Sequence, residues 1–410
     1  MQQILGRLRP FLETFLDYRL GLVSSKASDC ATEGTRMKIT NVTPISVGYP
    51  EPNDNGATRY LTLCRIEAED GTVGWGESVT MWPAVCKAVE ALIDGYAELI
   101  IGADPTDNVA LWHAMRDHGW WYGHAGGFVS FAISAIDIAL WDLRGRITGQ
   151  SLISMLGGAR QERLPVAAST HASRGDLREE AGLYASYIDA GFHGVKVGFG
   201  KRGDARLGYK IDRDLEFARL YREAVGPEPW LMIDRGQSLH WDLDHALRLT
   251  RGMEKHGLRW MEEPFEPHET SNYRTYRERV STMVGAGERE WDEHGYRRVI
   301  DSGLVDVIGF DPGRAQGVTG GLNVIRLVES AGLWFNAHAW SSAIVTSASV
   351  ALSASTNRAL LFELKAEENP MQHELVTNPL SHTGGWISPP RGPGLGIEID
   401  EAIVEKYRFP

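Results

Sequence analysis

The chain has 410 residues, 43% of them hydrophobic and 23% charged, a composition that excludes a disordered polypeptide and allows a sizeable core in more than one domain. Lysine and arginine total 42 against 54 aspartate and glutamate, a formal net charge of -12, which argues against nonspecific nucleic-acid binding. An anionic small substrate stays open, because a bound divalent cation reverses the local field.

The start, "MQQILGRLRPFLETFLDYRLGLVSS", mixes basic, acidic and apolar residues without a small-residue cleavage site, so residues 1–36 are expected to be an extension of unassigned role rather than a secretory signal. An amphipathic helix is open there. Cys30, Cys64 and Cys86 are too few and too irregularly spaced for a disulfide framework or a cysteine zinc site, and a cytoplasmic location is expected. No uncharged apolar run approaches the roughly 20 residues of a membrane span, so no membrane partner is expected. From Met37, "KITNVTPISV" and "RYLTLCRIEAEDGTVGWGE" alternate as strands, the second turning at Asp70-Gly71. Helical periods follow at "AVCKAVEALIDGYAELI", "NVALWHAMRDHGWW" and "FVSFAISAIDIALWDLRGRITG". Residues 37–160 therefore read as an α+β module.

Beyond it the texture repeats. Short apolar runs stand at 165–170, 193–197, 230–234, 259–263, 282–288, 305–311, 333–338 and 359–363, most of them separated by helical patterns such as "DRDLEFARLYREAVG". Eight strand-helix units predict a parallel (β/α)8-type barrel over 161–393, with a doubly wound open sheet as the competing α/β architecture. A last strand, "GLGIEID" at 394–400, is expected to carry residues 394–410 back to the N-terminal module.

In a barrel the carboxyl ends of all strands share one face, so the last residues of these runs become neighbours. They are Lys196, Asp234, Glu262, Glu288, Asp311, His338 and Glu363, spaced from Asp234 onward by 28, 26, 23, 27 and 25 residues. Asp234, Glu262 and Glu288 would repel one another without a cation among them, and an all-oxygen set suits Mg2+ better than zinc. A lone strand-end acid more often caps a helix or pairs in a loop; three at barrel period make the stronger case. Asp311 on one strand can orient His338 on the next as a general base, against the plainer reading of a core histidine. Lys196 can stabilise negative charge or act as a base; snorkelling at the surface is its plainer role. Together these groups suit proton abstraction beside a carboxylate.

Here the chain resembles the enolase superfamily, in its mandelate racemase-like branch. "WLMIDRGQSL", "WMEEPFEP" and "GAGERE" are similar to the segments carrying the three metal ligands, "GFDPGRAQGVTGG" and "NAHAW" to those of the catalytic aspartate and histidine, "LLFE" to the glutamate that binds the substrate carboxylate, and "GPGLGIEID" to the closing strand. The resemblance runs from Met37 to Pro410. It implies Asp234, Glu262 and Glu288 as Mg2+ ligands, with Glu263 outside the set, and His338, Asp311, Lys196 and Glu363 as catalytic groups. It also implies that the N-terminal module caps the barrel, is completed by the C-terminal segment, and chooses substrate through loops such as 48–60 and 120–127. Tyr122 and His124 are candidates to reach substrate, with packing as the alternative. Relatives commonly assemble, so a homo-oligomer is expected.

The sequence departs from the branch at one point. Racemases of the branch carry Lys-x-Lys on the second barrel strand, whereas "GVKVGFG" has Lys196 followed by Gly198 at the second position. A single base suits elimination better than racemisation, so dehydration of a sugar acid to a 2-keto-3-deoxy acid is the leading expectation, with His171 as a possible second group. The alternatives are a racemase, epimerase or cycloisomerase, or a non-catalytic metabolite-binding barrel.

Overall fold

The computed structural model describes residues 37–122 and 126–409. The extension 1–36 and His124 lie outside the described residues. No helix among those described is long and apolar enough to cross a membrane.

The alternating N-terminal segments form an antiparallel sheet of β1 (Ile39–Glu51), β2 (Ala57–Ala68) and β3 (Val73–Ser78). The β2–β3 turn lies at Asp70-Gly71, where the Asp70 carboxylate accepts the Thr72 N–H at 2.8 Å. Helices Pro83–Ile100, Asn108–His118 and Phe128–Thr148 follow. The third is buried nearly all round, because it is packed between the sheet and the barrel. Ile39, Ile66, Val89, Ile93, Trp112 and Ile136 belong to this module's own core.

Eight parallel strands form the nearly closed barrel: β4 (Leu164–His171), β5 (Gly194–Phe199), β6 (Trp230–Arg235), β7 (Leu258–Glu262), β8 (Met283–Ala286), β9 (Val307–Phe310), β10 (Trp334–Ala337) and β11 (Phe362–Lys365). Neighbours in sequence are neighbours in space from β4 to β10, and β11 pairs with β4. A single bridge, Phe335 to Ala359, links β10 toward β11. The open doubly wound sheet is thereby excluded. Ala167, Met232, Trp260, Val307 and Leu361 form a small apolar cluster drawn from β4, β6, β7, β9 and the residue preceding β11. Seven of the expected helices are present among the described residues; after β11 there is only one turn, Pro370–Glu374, before β12 (Trp386–Ile387) pairs antiparallel with β4.

Three expectations need correction. Lys196 is the third of six residues in β5 and Asp234 the fifth of six in β6, so neither is the last of its strand. The eighth strand is Phe362–Lys365, so Glu363 is its second residue and not its last. Residues 394–400 do not form the expected closing strand. The Leu395 N–H is accepted by the Asp142 carboxylate at 2.8 Å, the Ile397 carbonyl accepts from Arg146 at 2.6 Å, and Gly394 has φ +63. Side chains of helix Phe128–Thr148 thus take the backbone groups that a neighbouring strand would need. The segment still reaches the N-terminal module, where Arg408 bridges Val47 of β1.

Buried acids fasten that module to the barrel. Asp137 accepts the Thr319 N–H at 2.9 Å and hydroxyl at 2.7 Å, capping helix Gly317–Ala331, whose own N-cap residue Gln316 makes no side-chain cap. Glu77 of β3 accepts the Ser342 N–H at 3.2 Å, the Val345 N–H at 3.3 Å and the Ser342 hydroxyl at the start of helix Ala343–Ala354. Burial pushes the Asp137 carboxyl up to about 7 against these donors. Gly317 has φ +75, and a Cβ there would meet Asp137 Oδ2 at 2.3 Å. Gly317→Ala is therefore expected to cost about 2–4 kcal/mol, seen as a lower denaturant midpoint in chemical unfolding. A midpoint within error of the original would show that this contact gives way freely.

Candidate active site

A cavity of about 710 Å³ opens at the carboxyl ends of the barrel strands. Lys196, Asp234, Glu288 and His338 line it; Glu262, Asp311 and Glu363 lie beside or beneath its walls. Of the loops expected to choose substrate, the segment 48–60 contributes Asp54, Arg59 and Tyr60. Tyr122 does not contribute: it is 72% exposed and does not line the cavity.

The floor is organised around Lys196. The third residue of β5, it is buried, with Nζ 2.7 Å from Glu262 Oε2 and 3.0 Å from Glu363 Oε1. Burial alone would discharge it, but the charges of Glu262, Glu363, Asp234 and Glu288 hold its pKa well above the ordinary lysine value. Glu363 also accepts from Ser169 at 2.8 Å and Asn336 at 2.6 Å, and Ser169 accepts from the Trp340 indole at 2.9 Å. The lysine is thus a fixed cation.

Asp234 and Glu262 are direct cross-strand neighbours on β6 and β7, and Glu288 lies two residues beyond β8. Burial, then the charges of Asp234, Glu363 and Glu288, push the Glu262 carboxyl up against the opposing Lys196. Asp234 is held low: burial opposes it, but Lys201, 3.4 Å away, outweighs that together with Lys196 and His171. As they stand, Glu262 turns to Lys196 and Asp234 to Lys201. Among the described residues no three His, Cys, Asp or Glu side chains converge so as to hold an ion. The chemistry of the three acids nevertheless fits a hard divalent cation: all donors are carboxylate oxygens, crowded and only partly neutralised. Glu263, whose φ is +44, turns the other way to Arg289, with 2.6 Å between carboxylate and Nε.

The opposite wall carries a histidine-aspartate pair. His338 follows β10, and its Nδ1 lies 2.8 Å from Asp311 Oδ2, just past β9. The Gly313 N–H donates to Asp311 Oδ1 at 2.8 Å. Burial works against ionisation of Asp311, yet His338, Arg314 and that N–H hold its carboxyl below the usual range. A charged Asp311 fixes the Nδ1–H tautomer and leaves Nε2 free to take a proton.

Sequence reasoning named His171 as a second group but not its contacts, and it left other neighbours out. His171, at the end of β4, stacks on Trp340 with ring centres 4.3 Å apart, and its Nδ1 is 3.3 Å from Asp54 Oδ1 on the 48–60 segment. At Gly198 a Cβ would come within 2.7 Å of both His171 Cδ2 and Lys201 Cε, so these two side chains fill the space above the position where a second lysine was sought. Lys201 follows β5 in a loop, and no strand periodicity pointed to it. Ser169 and Asn336 were hidden as ordinary polar residues inside strands.

Residues 52–157 match the family described as mandelate racemase / muconate lactonizing enzyme, N-terminal domain, and residues 177–403 the enolase C-terminal domain-like family. The D-galactarolactone cycloisomerase of Agrobacterium fabrum is 29% identical over 395 residues, 91% of this chain and 100% of that protein. The L-rhamnonate dehydratase of Saccharopolyspora erythraea is 30% identical over 347 residues, 83% of each chain. The solved 3,6-anhydro-D-galactonate cycloisomerase of Zobellia galactanivorans has a TM-score of 0.81 at 27% identity, covering 91% of this chain and 100% of that one.

The His171 environment predicts a pH response. Burial lowers its pKa from 6.5 and outweighs the hydrogen bond and charge of Asp54, which raise it. Below pH 6.5 the unfolded chain then binds more protons at this residue than the folded one, so His171 costs stability as the pH falls through that window. An NMR titration should place His171 below 6.5, and Asp54→Asn should lower it further. An upward shift in the variant would contradict the assignment.

Proposed function

Because the chain belongs to the mandelate racemase / muconate lactonizing enzyme family of the enolase superfamily, and is an enzyme of that superfamily, we propose that it is a divalent-cation-dependent lyase that dehydrates a sugar acid. The observation that carries this reading is the cavity shared by the fixed cation Lys196 and the His338–Asp311 pair, with Gly198 at the second-base position. Asp234, Glu262 and Glu288 would hold the cation, which we take to be Mg2+. Bound there, it supplies Lewis-acid stabilisation of negative charge on the substrate carboxylate.

His338 Nε2 takes the proton from C2, and the electrons of the broken C–H bond pass into the C1–C2 enediolate. Lys196, already protonated, lies where that negative charge develops. As the charge returns, the C2–C3 double bond forms and the C3–O bond breaks. The imidazolium of His338 gives its proton to the departing hydroxyl, releasing water; the enol left behind becomes the 2-keto-3-deoxy acid. Asp311 is a positioning residue for His338. Glu363, which does not line the cavity, is a positioning residue for Lys196, to which it stands at ion-pair distance, and it also accepts from Ser169.

A second reading is supported by the two relatives named cycloisomerases. If the oxygen leaving C3 belongs to a ring, the same proton abstraction opens the ring and yields an isomer instead of losing water. Product mass separates the two.

A screen of aldonates and aldarates with Mg2+ is expected to show keto-acid formation with loss of one water. Deuterium at C2 of recovered substrate in heavy water, with no keto acid, would falsify dehydration. His338→Asn is expected to lower kcat about 10³-fold, and Lys196→Ala about 10²- to 10³-fold, in variants whose circular dichroism is unchanged. Chelation should abolish turnover and Mg2+ should restore it; full activity after exhaustive chelation would remove the cation from the scheme.

A further inference from the structure

The cavity is lined by seven Lys and Arg side chains against four Asp and Glu, in a chain whose overall charge is negative. Most of that positive charge is already answered. Lys201 has Asp234, Arg202 has Asp54, Arg235 has Glu266, Arg289 has Glu263 and Arg314 has Asp311 at ion-pair distance. Lys196 has Glu262 and Glu363. Arg59, on β2 of the N-terminal module, differs from all of them: among the described residues no carboxylate stands at ion-pair distance from it.

What Arg59 touches does not neutralise it. Its guanidinium carbon lies 5.2 Å from the centre of the Trp340 ring, and Nη2 is 3.2 Å from Met81 Sδ. Its Nε is buried without a hydrogen-bond partner. The acids nearest to it are engaged elsewhere: Glu51 is bound by the buried Lys365, and Asp54 faces His171 and Arg202. A guanidinium whose face rests on an indole keeps its edge donors free, and that edge matches the two oxygens of a carboxylate. An unpaired cation in a partly buried wall is costly unless something anionic meets it.

Its place in the cavity says which part of a substrate it would meet. From Arg59 the Trp340 ring spans to Ser169, and Ser169 leads through Glu363 to Lys196. Arg59 therefore stands one indole away from the floor where, on the reading above, the reacting carboxylate sits. We propose that the substrate carries a second carboxylate at the end remote from the reacting carbon, and that Arg59 receives it. The preferred substrate class is then a dicarboxylic sugar acid, an aldarate or its derivative, over the matched monocarboxylic aldonate. This inference rests on the acid-sugar reading for the position of the reacting end.

The test uses the whole protein with Mg2+ and matched pairs of hexarates and hexonates of the same configuration. Calorimetric affinities of the original chain are expected to favour the best hexarate over its hexonate by tenfold or more. Arg59→Leu should remove that preference, and Arg59→Lys should restore part of it. Equal affinity for the two classes, or a preference that survives Arg59→Leu, overturns the inference whatever the turnover. Keto-acid formation from hexonates alone overturns it while leaving dehydration standing. An Arg59-dependent preference for hexarates without any chemistry at C2 sustains the Arg59 assignment and removes the lyase reading.

Discussion

A protonated lysine buried at the mouth of a barrel needs fixed negative charge around it, and that need organises this site. Lys196 is held between Glu262 and Glu363, and Glu363 is itself held by Ser169 and Asn336 from two further strands. Four strands, β4, β5, β10 and β11, are thereby locked in register by one acid. The charge of Lys196 in turn allows two more acids, Asp234 and Glu288, to crowd the same end of the barrel. A site that develops negative charge in its transition state gains from a cation whose orientation is paid for during folding, because little reorganisation is left for the moment of reaction.

The same logic joins the two modules. A helix start leaves unsatisfied N–H groups, and here two barrel helices receive their acceptors from the N-terminal module: Asp137 at Thr319 and Glu77 at Ser342 and Val345. Helix Gly317–Ala331 follows the Asp311 turn, and helix Ala343–Ala354 follows His338. The module that supplies Asp54 and Arg59 to the cavity thus also anchors the chain segments behind the His338–Asp311 pair. Cavity-lining groups of both modules are positioned by one set of buried contacts.

Much of this was legible in the sequence because a barrel repeats. Asp234, Glu262, Asp311 and His338 each end or just follow a short apolar run, and the near-constant spacing of those runs implied a common face. Apolar character reports burial without reporting strand pairing. In "ALLFE" the buried Ala359 and Leu361 precede the strand, so the run was read three residues early and Glu363 was placed at an end it does not occupy. In "GLGIEID", Leu395 and Ile397 are buried as alternation requires, yet side chains of another helix satisfy their backbone. Contacts such as Asp54 with His171, 117 residues apart, leave no local pattern at all.

Gly198 shows how such loop contacts bear on chemistry. Read along the strand, it is an absence: the second base is missing. Read in space, it makes room, since His171 and Lys201 lie where its Cβ would be. Lys201 faces Asp234 and is held by it as a cation partner, while His171 is tied to Asp54 and flat against Trp340. Both groups are engaged by acids and an aromatic ring, whereas His338 has one side given to Asp311 and the other free toward the cavity. Proton transfer at carbon requires a group with a free, aligned nitrogen, and on the proposed dehydration that asymmetry is what one-sided abstraction followed by elimination would need, where exchange between two faces would need a second such group.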